Sequence, residues 1–211
     1  MSLNGKVAII TGASRGIGRA IAVKLATQRA SLAINYASND ADAVVAVEAV
    51  KSQFTLPTQK AIHIRADTSK ISECERLVNE TIAAFGKIDI LVLNAGILLN
   101  QSIDQITEES FCRYIDINVK GPLLLTQKAL PHIQDGGRVI FVSSSLTAFS
   151  GITPNYTLYV TTKGAIEQLS RKLAKDLGRR GVTVNTVSSG PTATELFFND
   201  KTEHQIRSSK T

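Results

Sequence analysis

The sequence predicts an α/β protein: a doubly wound parallel sheet with helices on both faces. Three observations carry this. Six short apolar runs are rich in β-branched residues, longer stretches of helical periodicity lie between them, and a glycine-rich turn joins the first run to the first helix. Strands that follow one another through helices form right-handed βαβ units. A sheet covered on both faces reads as near-continuous apolar runs rather than as alternation.

The first strand is Lys6-Val-Ala-Ile-Ile-Thr11, and the next two are Ser31–Tyr36 and Ala61–Arg65. Ile88–Leu93, residues 138–142 and residues 182–185 complete the set. Ile17, Ile21 and Leu25 mark the apolar stripe of the first helix, Val44, Val47 and Phe54 the second, and Cys74, Val78, Ile82 and Phe85 the third. A long helical segment starts after Thr107, whose hydroxyl suits an N-cap before Glu108 and Glu109, and runs toward Leu130 with a kink at Pro122. Ile166, Leu169, Leu173 and Leu177 give the last strong helical period, which Gly178 ends. One domain over 1–198 is expected, followed by a polar and mobile tail over 199–211.

Composition removes several classes of function. With 211 residues, 43% of them hydrophobic and 20% charged, the chain belongs with ordinary globular proteins. A chain of this size buries roughly 70% of its unfolded surface and needs no disulfide or metal to fold. Cys74 and Cys112 form no C-x-x-C pair, and His63, His132 and His204 have no partner at ligand spacing, so no metal site is expected. The net charge of +6 is dispersed rather than gathered into a basic patch, which argues against nucleic acid. No apolar stretch is long enough to cross a bilayer, and no signal peptide or lipidation motif is visible. A cytoplasmic location is expected.

The chemistry begins at Thr11-Gly-Ala-Ser-Arg-Gly-Ile-Gly18. Between a strand and a helix, Gly12 permits a tight turn, Gly16 lets a pyrophosphate approach the backbone, and Gly18 allows close packing of the helix. The free N–H groups and positive dipole of the helix N-terminus then suit phosphate. Many dinucleotide sites carry an acid at the end of strand two for the ribose hydroxyls. This chain has Asn35-Tyr-Ala-Ser-Asn39 there, while Arg15 stands in the glycine turn. A missing carboxylate beside a guanidinium favours a ribose 2′-phosphate, hence NADP(H), with Ser38 and Asn39 adding hydrogen bonds. Further on, Tyr159 and Lys163 are spaced i, i+4 on the last long helix, which places both on one face. An ammonium beside a phenol favours phenolate and moves the tyrosine toward general acid–base work.

These motifs, in this order, resemble the short-chain dehydrogenase/reductase family, and the resemblance covers essentially the whole chain. Besides the glycine turn it rests on Asp67-Thr68 after strand three, Asn94-Ala-Gly96 after strand four, and Asn118 in the long fourth helix. Ser143-Ser-Ser145 after strand five, the Tyr159/Lys163 pair and the segment 184–194 complete it. Closest in character are the NADPH-dependent 3-oxoacyl and hydroxynaphthalene-type carbonyl reductases. The resemblance implies a Rossmann-type sheet of order 3-2-1-4-5-6. It also implies reduction of a ketone or aldehyde to an alcohol, with hydride passing directly between nicotinamide and substrate carbon.

The catalytic set implied is Asn118, Ser144, Tyr159 and Lys163. Tyr159 would exchange the proton, Lys163 would lower its pKa and bind the nicotinamide ribose, and Ser144 would hold the substrate oxygen. Asn118 would hold a water linking Lys163 to solvent. Ser145 is the alternative to Ser144, because the gap to Tyr159 is longer than usual in the family. The cofactor would be held by Gly12, Ser14, Arg15, Gly16, Ile17, Gly18, Tyr36, Ala37, Ser38, Asp67, Thr68, Asn94, Ala95, Gly96, Tyr159, Lys163, Gly190, Thr192 and Thr194. A homodimer through residues 107–130 and 156–177 is also implied.

The sequence departs from the family pattern in two places. Ser189 precedes Gly190 where a proline is usual, which is expected to loosen that turn and puts the placement of Thr194 in question. Family members usually continue into a substrate-covering loop, a further helix and a seventh strand, so strand seven and the last helix are expected to be absent and strand six to be an open edge. The alternative function is therefore a shortened, catalytically impaired NADP(H)-binding protein acting as a partner or sensor.

Overall fold

A computed structural model describes residues 2–149 and 155–198; the tail expected over 199–211 lies outside the described residues. β1 (Val7–Ile10), α1 (Gly16–Thr27), β2 (Ser31–Tyr36), α2 (Asp40–Lys51), β3 (Ala61–Arg65), α3 (Ile71–Phe85) and β4 (Ile88–Leu93) form the first half. α4 (Glu108–Ile115), α5 (Gly121–Ala129), β5 (Ile133–Ser144), α6 (Thr157–Leu177), β6 (Thr183–Ser189) and the short α7 (Glu195–Phe198) form the second. The six strands pair in parallel in the order β3-β2-β1-β4-β5-β6. The order reverses between β1 and β4, and such a switch point opens a crevice at the strands' C-terminal ends.

Strand pleating divides the core in two. Ile9, Ala33, Leu91, Val139 and Phe141 face one side and pack against Leu77 and Val78 of α3, Leu125 of α5 and Ile166 of α6. Ala8, Ile10, Leu32, Ile34, Ile90 and Val92 face the other, against Ala22 and Ala26 of α1 and Ala46, Val47 and Val50 of α2. Each fully buried Ile, Leu or Phe stabilises the sheet by roughly 1.5–3 kcal/mol. At the far end of the sheet from the crevice, buried Asp89 accepts Val7 N at 3.0 Å and Lys6 Nζ at 2.8 Å, pinning β1 to β4.

Several helices differ in detail from their sequence reading. The deepest face of α1 is Gly18, Ala22 and Ala26, with Ile17, Ile21 and Leu25 only partly buried, because small residues let this helix sit closest to the sheet. On α2, Val44 is 49% exposed and Ala43, Ala46, Val47 and Val50 face inward. Thr107 caps α4 as expected, accepting Ser110 N at 3.1 Å. The break before α5 comes earlier than Pro122: residues Asp116–Lys120 form a π turn, in which Gly121 N donates to Asp116 O. Pro122 has no N–H for the carbonyl of Asn118, so the α pattern cannot run through this point. α6 runs through Leu177 into a 3₁₀ turn, and the left-handed residue that reverses the chain is Gly181 (φ +64°) rather than Gly178.

β5 and β6 are longer than expected, and this corrects the reading of Ser189. Their ladder continues to the pair Ser144↔Ser189. A serine keeps its N–H and a free φ where proline would have neither, so the position prolongs the strand instead of loosening a turn.

Candidate active site

The crevice at the switch point is a cleft of about 1000 Å³. One wall is the glycine turn. Thr11 Oγ1 accepts Asn94 N and Ala95 N, each at 2.9 Å, while Asn94 Nδ2 donates to Thr11 O at 2.9 Å and Gly12 O at 3.2 Å. The segments after β1 and β4 are thereby stitched together. Gly12 and Gly16 have φ of +61° and +55°, which L side chains rarely adopt. A Cβ at Gly18 would lie 2.5 Å from Gly12 O and 2.6 Å from Asn94 Nδ2, so Gly18 lets α1 meet the turn itself. The first turn of α1 carries no acidic residue and no side-chain cap, leaving its N–H groups and dipole for an anion.

The end of β2 forms the next wall. Asn35, 2% exposed, donates to Ala66 O at 2.9 Å, and its own carbonyl accepts Ala13 N at 2.8 Å. It rivets the glycine turn to β2 and β3, a structural role signalled in the sequence by a lone amide inside an apolar strand. Tyr36, Ala37 and Ser38 line the cleft. The carboxylate of Asp40 is turned away, accepting the Tyr36 hydroxyl at 2.6 Å. Arg15 faces the cleft but is ion-paired there with Glu195 of α7; Glu195 was not among the sequence candidates. Thr194 reaches the glycine turn, with its Cγ2 3.4 Å from where a Gly16 Cβ would stand.

The catalytic candidates converge at the other end. Asn118, 1% exposed, lies in the π turn; its Oδ1 accepts Ile97 N at 2.9 Å and its Nδ2 donates to Thr162 Oγ1 at 3.0 Å. It therefore locks the loop after β4 to α6. Gly96 leaves room for this group: a Cβ there would lie 3.1 Å from Asn118 Oδ1 and 3.5 Å from Lys163 Nζ. Of Ser144 and Ser145, it is Ser144 whose hydroxyl meets Tyr159. Lys163, 5% exposed, donates to Val142 O at 2.7 Å, and its Nζ stands 5.6 Å from the Tyr159 ring centre.

The electrostatics differ from the simple expectation. Burial pushes the Tyr159 phenol above its ordinary value; the Ser144 hydrogen bond opposes this, and Tyr114 and Tyr156 add to it. Burial also brings Lys163 down to about 8. In this geometry the ammonium is spent on a strand carbonyl, and the lysine does not lower the tyrosine.

Most of the expected cofactor set lines this one cleft: Gly12, Ser14, Arg15, Gly16, Ile17, Tyr36, Ala37, Ser38, Asp67, Thr68, Asn94, Ala95, Gly96, Tyr159, Lys163 and Thr194. Gly18 supports the turn from behind. Gly190 and Thr192 are exposed and bond to each other, Thr192 Oγ1 donating to Gly190 O at 3.0 Å, while Ser189 lines the cleft in their place. Among the described residues no cluster of three or more His, Cys, Asp or Glu could hold a metal, and no helix is long and apolar enough to cross a membrane.

A doubly wound sheet with a glycine turn at its switch point and a Tyr–Lys–Ser–Asn group beside it defines a dinucleotide-dependent oxidoreductase. Residues 6–205 match the family model of the short chain dehydrogenases, and the chain belongs to that family. A hydroxynaphthalene reductase-like protein of Metarhizium brunneum is 38% identical over 196 residues, 93% of this chain and 72% of that protein. A short chain dehydrogenase of Burkholderia cenocepacia, solved in complex with NADP, is 34% identical, with a TM-score of 0.91 over 100% of this chain and 84% of that one. A blue fluorescent protein from a metagenomic library, solved in complex with NADPH, is 36% identical, with a TM-score of 0.88 over 96% of this chain and 81% of that one.

Proposed function

We propose that the chain is an NADP(H)-dependent carbonyl reductase in which Tyr159 is the general acid/base. The observation that carries this is the meeting of Tyr159, Ser144 and Lys163 at one end of a cleft whose other end is the glycine turn. The residues fit the cofactor: left-handed glycines and an unopposed helix N-terminus suit the pyrophosphate, and the end of β2 offers Ser38 where NAD-selective sites carry an acid. When bound, the dinucleotide supplies the hydride.

The chain's own residues do the rest. Gly12, Gly16 and the first turn of α1 hold phosphate, and Arg15 with Ser38 holds the 2′-phosphate once the guanidinium leaves Glu195. Lys163 sits where it can bind ribose hydroxyls and restore the tyrosine proton, with Asn118 ordering water toward it. Ser144 receives the Leu146 N–H at 3.3 Å, and its hydroxyl, which meets Tyr159, would turn its hydrogen to the substrate oxygen. Tyr159, kept protonated by burial, delivers its proton to that oxygen as the carbon is reduced.

The test follows NADPH absorbance with a panel of ketones, aldehydes and quinones. General acid catalysis of this kind is worth about 10²–10⁴-fold, and Tyr159→Phe is expected to lose a factor in that range. Equal oxidation of NADPH by wild type and Tyr159→Phe would sink the mechanism. The same reading includes a homodimer through α4, α5 and α6, supported by Phe111 and Leu123, two large apolar side chains left exposed on α4 and α5. Light scattering should give twice the chain mass; a stable tetramer or a monomer contradicts it.

A further inference from the structure

One side chain outside the catalytic set gathers the hydrogen bonds at this end of the sheet. Glu167 lies on α6 one turn beyond Lys163, at the i, i+4 spacing that shares a face. Its Oε1 lies 2.8 Å from Ser143 Oγ, 2.7 Å from Thr147 Oγ1 and 3.3 Å from Ser188 Oγ. These hydroxyls come from three separate pieces of chain: the tip of β5, the turn that follows it, and the tip of β6.

All three pieces bear on Ser144. Ser143 precedes it, Thr147 Oγ1 also lies 2.8 Å from Ser144 O, and Ser188 adjoins the Ser189 that pairs with Ser144. An ionised carboxylate is an acceptor only, so the three hydroxyls act as its donors. Hydrogen bonds to a charged acceptor are the stronger kind, which favours the carboxylate over the Ser144 and Lys163 carbonyls that Thr147 Oγ1 and Ser143 Oγ also reach. Burial works against the Glu167 charge, but the hydroxyls of Thr147, Ser143 and Ser188 and the Arg171 guanidinium outweigh it and hold the carboxyl below its ordinary range. Glu167 is therefore anionic at neutral pH.

We propose that Glu167 is a positioning residue that tethers the tips of β5 and β6 and so sets the Ser144 hydroxyl against Tyr159. This rests on the reading that Ser144 and Tyr159 handle the substrate oxygen. A misplacement of about 1 Å at such a site costs about 10²-fold, so Glu167→Ala should lower kcat by about ten- to a hundredfold with the KM for NADPH unchanged. Glu167→Gln keeps a carbonyl acceptor in place and should recover most of the rate. In a Ser144→Ala background, Glu167→Ala should cost nothing further, since the two act through one hydroxyl.

Full activity in Glu167→Ala, or additive losses in the double variant, overturns the proposal. A second measurement needs no turnover: backbone hydrogen exchange over residues 142–147 should quicken in Glu167→Ala and, more mildly, in Thr147→Val, with β1–β4 unchanged. Unaltered exchange over 142–147 also overturns it. If Tyr159→Phe turns over as fast as wild type, the chemical reading has failed, and the exchange result alone then decides whether Glu167 is the tether.

Discussion

Replacing Lys163 with methionine should abolish turnover yet make the protein more stable at neutral pH. Burial takes the lysine from 10.5 down to about 8, and at about 1.4 kcal/mol per pKa unit the folded state loses about 3 kcal/mol by keeping it charged. Methionine fills similar space without charge. It forfeits the hydrogen bond to Val142 O, about 1 kcal/mol, so the net gain is about 2 kcal/mol. For a domain of this size that raises Tm by about 4–8 °C.

The pH dependence has a definite sign. Between about pH 8 and 10.5 the unfolded chain binds the lysine proton and the folded chain does not, so wild-type stability climbs across that window. The advantage of methionine is therefore full below about pH 8 and gone above 10.5. Thermal melts of both proteins at pH 7 and at the alkaline end of the window measure it. A methionine variant less stable than wild type at pH 7, or a gain that ignores pH, would refute the burial account.

Two other perturbations follow from the cleft. Arg15→Ala should weaken NADPH binding by about tenfold or more, the worth of a charge-assisted hydrogen bond, and leave NADH nearly unaffected; calorimetry with both cofactors checks it, and equal losses would remove Arg15 from the 2′-phosphate. Gly18→Ala drives a methyl group to within 2.5 Å of Gly12 O, and overpacking of this kind costs about 1–3 kcal/mol. It should lower both Tm and NADPH affinity, and an unchanged melt would mean that the turn has room to yield.

Much of this protein is legible in its sequence. The apolar runs marked β1, β2 and β4 because burial on both faces demands apolar residues at nearly every position of a central strand. β3 and β6, at the sheet's edges, are partly exposed and carry polar residues. The glycine turn could be read because left-handed φ and close approach leave few other residues possible. Tyr159 and Lys163 could be paired because helical spacing alone puts them on one face. What could not be read depends on contacts distant in the chain. The choice of Ser144 over Ser145 follows from where β5 ends relative to α6. The depth of Gly18, Ala22 and Ala26, against the expected Ile17 stripe, follows from how close α1 approaches the sheet. Glu195 meets Arg15 across 180 residues, and no local pattern announces such a pair.

The pKa values show the division most clearly. The chemical identity of the candidate groups is local, and the sequence carries it in full. Their charge states are not local, because the energy of a charge depends on the water removed and the dipoles that replace it. From spacing, Lys163 was expected to lower Tyr159; in the folded chain, burial raises the tyrosine and the strand carbonyl of Val142 takes the ammonium. Residue order laid out the sheet and named the groups at its edge, while packing set how they are held and when they carry a proton.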